Sequence, residues 1–216
     1  VNIGRFVILG DSYSTFEGCM PEGHGTWYVP EGVERNLPTD VFKKEDTWWY
    51  QFIAETGSEL VYNTSWSGST ICNTGYDGAD FSNRSFVTRM DDLIKKDFFE
   101  KNNIDTLIIF GGTNDSWSDA PLGELKYEGW SKEDLYKVLP AVTYLLRRAK
   151  SNLLKVRIIF VLNDGLKEEI NKTVSEACRK YEIELIKLHD IDKISDHPSI
   201  KGMKQINEQI KNYLKG

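Results

Sequence analysis

A chain of 216 residues, 40% of them hydrophobic, is long enough for one domain with a sizeable core. Its charged residues, 28% of the total, and its net charge of −6 give a water-facing surface without the basic stripe that nucleic acid requires, so no nucleic-acid partner is expected. No apolar run approaches the ~18 residues that a bilayer-spanning helix needs, so no membrane insertion is expected.

Apolar runs alternate with helical patterns along the chain. Gly4 to Leu9 reads as a buried strand, stopped by Gly10-Asp11-Ser12. A Gly- and Pro-containing loop runs to Glu45, and Asp46 is expected to cap a helix with Trp48, Trp49, Phe52 and Ile53, ended by Gly57. Glu59 to Asn63 is the second strand. A long polar loop leads to a helix with Phe86, Met90, Leu93, Ile94 and Phe98 on one face. Thr106 to Phe110 is the third strand, Leu135 to Lys150 a helix and Val156 to Leu162 the fourth strand. A helix over Leu166 to Tyr181 and a strand over Glu184 to Leu188 follow. The last helix carries Ile200, Met203, Ile206, Ile210 and Leu214 in register, with Pro198 expected in its first turn. No repeat or linker breaks this series, so residues 1–216 are read as a single domain. Five strands alternating with helices predict a three-layer α/β/α fold around a parallel sheet.

In such sheets ligands bind beyond the carboxyl ends of the strands. There the sequence places Gly10-Asp11-Ser12, then the loop around Gly68, then Gly111-Gly112-Thr113-Asn114-Asp115, and finally Ser195-Asp196-His197-Pro198. A hydroxyl, a flexible backbone donor, an amide and an imidazole are the parts of an acyl-transfer site. Rival motifs are missing: Ser14 spoils a G-x-S-x-G elbow, and there is no dinucleotide fingerprint, P-loop or H-E-x-x-H. No metal or organic cofactor is expected. Cys19, Cys72 and Cys178 fit neither a disulfide framework nor a zinc spacing.

The four segments GDSYS, SWSGST, GGTND and DHPS, in this order, resemble the blocks of the SGNH hydrolases, the GDSL-type esterase and lipase superfamily. The resemblance spans Gly10 to Pro198 and implies a flavodoxin-like five-stranded sheet and a serine ester hydrolase. It implies Ser12 as nucleophile, His197 as general base, and an oxyanion hole made by the backbone N–H groups of Ser12 and Gly68 with the side-chain amide of Asn114. Asp115 is read as structural. The chain departs from the family where the triad acid should stand, three residues before the histidine, because that position is Ile194. Asp192, Asp196 or a backbone carbonyl could orient the imidazole instead, and Asp192 is the expected choice.

Aromatics crowd the loops of the catalytic edge: Tyr13, Phe16, Trp27, Tyr28, Trp66, Tyr76, Trp117 and, further off, Trp130. Trp66, Asn73 and Trp117 are the expected substrate contacts, with Arg84 and Arg89 among the polar neighbours that could bind hydroxyls. The family includes carbohydrate acetylesterases, and no lid-like amphipathic helix is evident. The expected substrate is therefore a small-molecule or glycan ester carrying a small acyl group. A lysophospholipase or thioesterase, and a degenerate glycan-binding domain without turnover, are the alternatives. The Asn114-Asp115-Ser116 sequon would mask Asn114 if glycosylated, which favours a chain outside the eukaryotic secretory route. Because the sequence opens on Val1, upstream residues are expected to be missing; whether they are a removed export signal or only the cut end of a longer chain stays open, as do the compartment and oligomeric state.

Overall fold

The structure, a computed structural model, describes residues 1–35 and 37–216. Five parallel strands form the sheet: β1 (Arg5–Gly10), β2 (Glu59–Asn63), β3 (Thr106–Gly111), β4 (Arg157–Leu162) and β5 (Glu184–Lys187). Their spatial order is β2-β1-β3-β4-β5, the flavodoxin-like arrangement, as expected. β1 and β3 run in register from Phe6 opposite Thr106 to Gly10 opposite Phe110, so both strands end at the same edge.

Side chains alternate across the sheet and feed two cores. Val7 and Leu9 join Leu107 and Ile109 under α2 (Phe86–Lys95), α5 (Val138–Asn152) and α6 (Glu168–Tyr181). Phe6 and Ile8 join Ile108 and Phe110 under α1 (Trp48–Thr56) and α7 (Ile200–Lys215). Burial of each such side chain contributes about 1.5–3 kcal/mol. Two short helices complete the set, α3 (Phe98–Lys101) and α4 (Thr113–Trp117). Among the described residues, no helix is long and apolar enough to cross a membrane.

Several element ends differ from expectation for local reasons. The hydroxyl of Thr47, not the Asp46 carboxylate, caps α1, while Gly57 closes it in the left-handed region at φ 69°. The helical pattern over Phe86 to Phe98 breaks at Asp97, whose φ of 52° separates α2 from α3. Ser12 to Ser14 form a single 3-10 turn. Pro198 lies before α7, whose cap is the Ser199 hydroxyl accepting from the Gly202 N–H. The largest surprise is a two-strand hairpin, β6 (Lys193–Ile194) paired antiparallel with β7 (His197–Pro198). Its two linking residues, Ser195 and Asp196, have φ values of 50° and 61°. Two successive left-handed residues are the signature of a type I′ turn, whose twist suits a two-residue hairpin.

Candidate active site

Three strand ends and the hairpin converge. β1 delivers Ser12, and the Asp11 carboxylate accepts the Tyr13 N–H to close the turn. β2 continues into the Thr64–Ser69 loop, which is tied back along β1: the Thr64 N–H donates to Ile8 and the Trp66 N–H to Gly10. In that loop Gly68 has a φ of 77°, a conformation that glycine adopts without strain, and open space lies where its side chain would be. β3 ends in Gly111-Gly112 and passes into α4, which carries Asn114 and Asp115.

The Ser12 hydroxyl lies 2.9 Å from His197 Nε2, although 185 positions separate the two in the chain. His197 Nδ1 is 3.0 Å from the Ser195 carbonyl oxygen. A carbonyl can only accept, so Nδ1 carries the proton and Nε2 is left free to take one from Ser12. The type I′ turn folds that carbonyl back to the Nδ1 edge of the ring. Burial pushes the imidazole pKa down to about 4; the Ser195 carbonyl opposes this fall and the nearby Arg35 charge adds to it. The ring is therefore neutral at ordinary pH.

Asp192, the expected acid, is not at the imidazole. Its carboxylate accepts the Ser199 hydroxyl, its N–H donates to Gln205 and its carbonyl accepts the Ser199 N–H at 3.1 Å. Gly202 packs so closely on that carbonyl that a Cβ there would come within 2.1 Å of it. These contacts pin Asp192 under the first turn of α7. The Asp196 side chain is exposed, and its carbonyl accepts the Tyr13 hydroxyl at 2.7 Å. Of the three candidates, the backbone carbonyl is the one in contact with His197.

Asn114 is bonded to the Gly68 loop. Its Nδ2 donates to the Ser69 carbonyl at 3.0 Å, and its Oδ1 accepts the Tyr76 hydroxyl at 2.7 Å. Because the Ser69 oxygen demands a donor, this fixes which end of the amide is which and leaves the second Nδ2 hydrogen free. Asp115 is structural, as expected: fully buried, it accepts the Ile71 and Cys72 N–H groups, and burial lifts its pKa to about 6 against those bonds. Burial likewise raises Asp11 to about 7.

Arg89 corrects an expectation. It does not face substrate; it is fully interior, where its guanidinium donates to the carbonyls of Thr64, Gly10 and Arg84 and to the Ser69 hydroxyl. One cation thus ties the end of the nucleophile strand to the Gly68 loop. Burial lowers its pKa to about 9, with Asp11 acting in the opposite direction. Asn73 is also interior, accepting the Ser85 hydroxyl at the start of α2, and does not line the site. Trp117 flanks His197, and Trp66 stands in the Gly68 loop against His24. Trp66 stacks on His24 with ring centres 4.2 Å apart, and Trp117 is 38% exposed with its ring 5.7 Å from that of His197. Trp130 packs on Tyr144, away from the site. His189 is exposed beside Asp190. Two open clefts, of about 500 and 480 Å³, lie along β2 and at the opposite end of the sheet; neither includes Ser12 or His197.

Comparison with known proteins bears on this arrangement. The GDSL-like lipase/acylhydrolase family matches residues 4–214. A Bacteroides ovatus structure described as a GDSL-like lipase is 50% identical, with a TM-score of 0.90 over 99% of this chain and 98% of its own. A second, from Bacteroides uniformis, is 45% identical with a TM-score of 0.87, over 98% and 95%. A family two carbohydrate esterase from Clostridium thermocellum, solved with cellohexaose, shares the fold at 13% identity and a TM-score of 0.58, covering 98% of this chain and 63% of that one. No curated protein matches the sequence. The chain belongs to the GDSL-like lipase/acylhydrolase family, within the SGNH hydrolases, and the activity that goes with this membership is ester hydrolysis.

Proposed function

We propose that this hydrolase removes small acyl groups, acetyl above all, from a carbohydrate, through an acyl-enzyme on Ser12. As the Ser12 oxygen attacks the ester carbonyl, its proton passes to His197 Nε2. The oxyanion takes hydrogen bonds from the Ser12 and Gly68 backbone N–H groups and the free Nδ2 hydrogen of Asn114; such a donor is worth roughly 3–4 kcal/mol in the transition state. His197 then gives its proton to the departing alkoxide. Water attacks the acyl-enzyme by the same route in reverse, and the histidine is oriented by the Ser195 carbonyl rather than by a carboxylate.

The observation that carries the substrate class is the contrast between nucleophile and rim. Ser12 is only 2% exposed, which suits a small acyl group, while the flat rings of Tyr76, bonded to Asn114, and Trp117, near His197, are 36% and 38% exposed. Exposed aromatic faces stack on the apolar faces of sugar rings. The carbohydrate esterase of the same fold adds to this reading.

The test is labelling followed by an acyl series. A fluorophosphonate is expected to leave one adduct on the wild type and none on Ser12→Ala, measured by intact mass. Acetylated oligosaccharides are then expected to be cleaved faster than butyryl or octanoyl esters of the same sugars. A preference for octanoyl chains would assign the protein to longer acyl substrates, and a folded wild type that takes no label would leave a glycan-binding domain.

A further inference from the structure

We propose that Trp27 occupies the functional place of the missing triad acid: its indole face fixes the plane of the His197 ring and stabilises the imidazolium formed when Ser12 attacks. The proposal rests on the serine-hydrolase reading and names the positioning residue on which that reading depends.

The two rings lie parallel, with centres 3.4 Å apart and planes 6° from coincidence. This is the tightest aromatic contact His197 makes; the rings of Tyr13, Trp117 and Tyr28 stand at 5.4, 5.7 and 6.5 Å, tilted or edge-on. A single bond from Nδ1 to a carbonyl leaves a ring free to swing about that bond, and a flat partner removes the freedom. Trp27 is itself anchored to both sides of the site. Its backbone N–H donates to the Thr15 hydroxyl, which in turn donates to the Ser12 carbonyl. Its neighbour Tyr28 donates to the Pro198 carbonyl at 2.8 Å, immediately after the histidine. The indole is thereby set between the nucleophile turn and the hairpin.

The chemistry asks for a cation partner at this place. During attack the Oγ–C bond forms, the carbonyl π pair moves to oxygen, and the serine proton rests on Nε2, leaving a positive ring in a buried site. Of the charged groups around it, Arg35 and Lys193 oppose that charge, Asp196, which favours it, is exposed on the turn, and Asp11, beside Ser12, is a buried carboxyl whose pKa burial raises to about 7. The Tyr13 and Tyr28 hydroxyls are held protonated by burial and bring no negative charge. What remains is the Ser195 carbonyl and the electron-rich indole face, and tryptophan is the strongest cation–π partner among side chains. Arg35 also lies over the same indole, 4.9 Å from its centre, so the ring already serves one cation.

The experiment uses the full chain, with Trp27→Phe and Trp27→Leu compared on an acetyl ester. A π face that matters gives the order Trp, Phe, Leu, with kcat in Trp27→Leu about 10-fold down and KM within twofold. Equal rates in folded Phe and Leu variants would mean that bulk alone is needed and would overturn the proposal. A second measurement needs no turnover. Intrinsic fluorescence is titrated in acid, where an imidazolium against an indole quenches it. A step near pH 4 in the wild type, lost in Trp27→Phe and in His197→Ala, supports the stack; identical titrations in all three overturn it. If fluorophosphonate labelling fails while the fluorescence step is present, the acyl-enzyme reading falls and the stack stands.

Discussion

The two halves of the site are held by opposite means. On the oxyanion side, everything that positions Gly68 and Asn114 is charged or strongly polar: buried Arg89 gathers three carbonyls and a hydroxyl, buried Asp115 takes two backbone N–H groups, and Tyr76 holds the amide. On the base side, His197 sits on a two-residue hairpin fastened by two tyrosine hydroxyls, with a carbonyl on one ring nitrogen and an indole on one face. The difference follows from what each half must fix. An oxyanion hole works only if donors point at one spot, and direction is set by strong bonds to every other end of the donor groups. An imidazole needs a plane and a tautomer, and neutral groups can supply both.

The largest expected effect breaks the polar half. Asn114→Ala is expected to lower kcat by about 10²–10³-fold with KM changed only a few-fold, since it removes a donor used in the transition state. A loss under 10-fold in steady-state kinetics would show that the amide does not face the oxyanion. Tyr76→Phe sharpens the same half. It keeps the exposed ring for substrate but deletes the bond to Asn114 Oδ1. One hydrogen bond contributes about 1 kcal/mol, so kcat is expected to fall about fivefold with KM unchanged. A rise in KM instead would assign Tyr76 to sugar binding alone.

The two halves were also unequally legible in the sequence. Strand–helix alternation gave the sheet, and the strand-end rule put Ser12, Gly68 and Asn114 on one edge, where the structure has them. Arg89 could have been placed from its spacing: with Phe86, Met90 and Leu93 it occupies the buried stripe of α2, where a cation must have partners. Ser195-Asp196 carried no such signal. Two non-glycine residues at positive φ make the hairpin, and neither announces a type I′ turn as Asn-Gly would. Without that turn, the carbonyl route to His197 was one option among three, and Asp192 looked nearer than it is. Trp27 was visible as one aromatic among eight; its parallel seat on the histidine depends on bonds to Thr15 and Pro198, which no local pattern encodes.

The smallest expected effect is the most decisive for the neutral half. Asp192→Asn keeps an oxygen to accept the Ser199 hydroxyl and keeps the backbone bonds that seat α7. It loses the attraction to Lys201, an exposed pair at 3.7 Å that contributes little, so stability should move by under about 1 kcal/mol. Turnover should stay within about twofold of wild type, whereas removing the charge from a carboxylate that serves as the third triad member can cost about 10⁴. The acid limb of kcat/KM should likewise stay near pH 4 in the variant. His197 reacts as the neutral ring, so activity is expected to be full above that value and to fall as the pH drops through it. A fall of several hundredfold in turnover, with the fold intact by calorimetry, would mean that Asp192 leaves its seat under α7 to reach the imidazole during catalysis, and the neutral account of the base would fail.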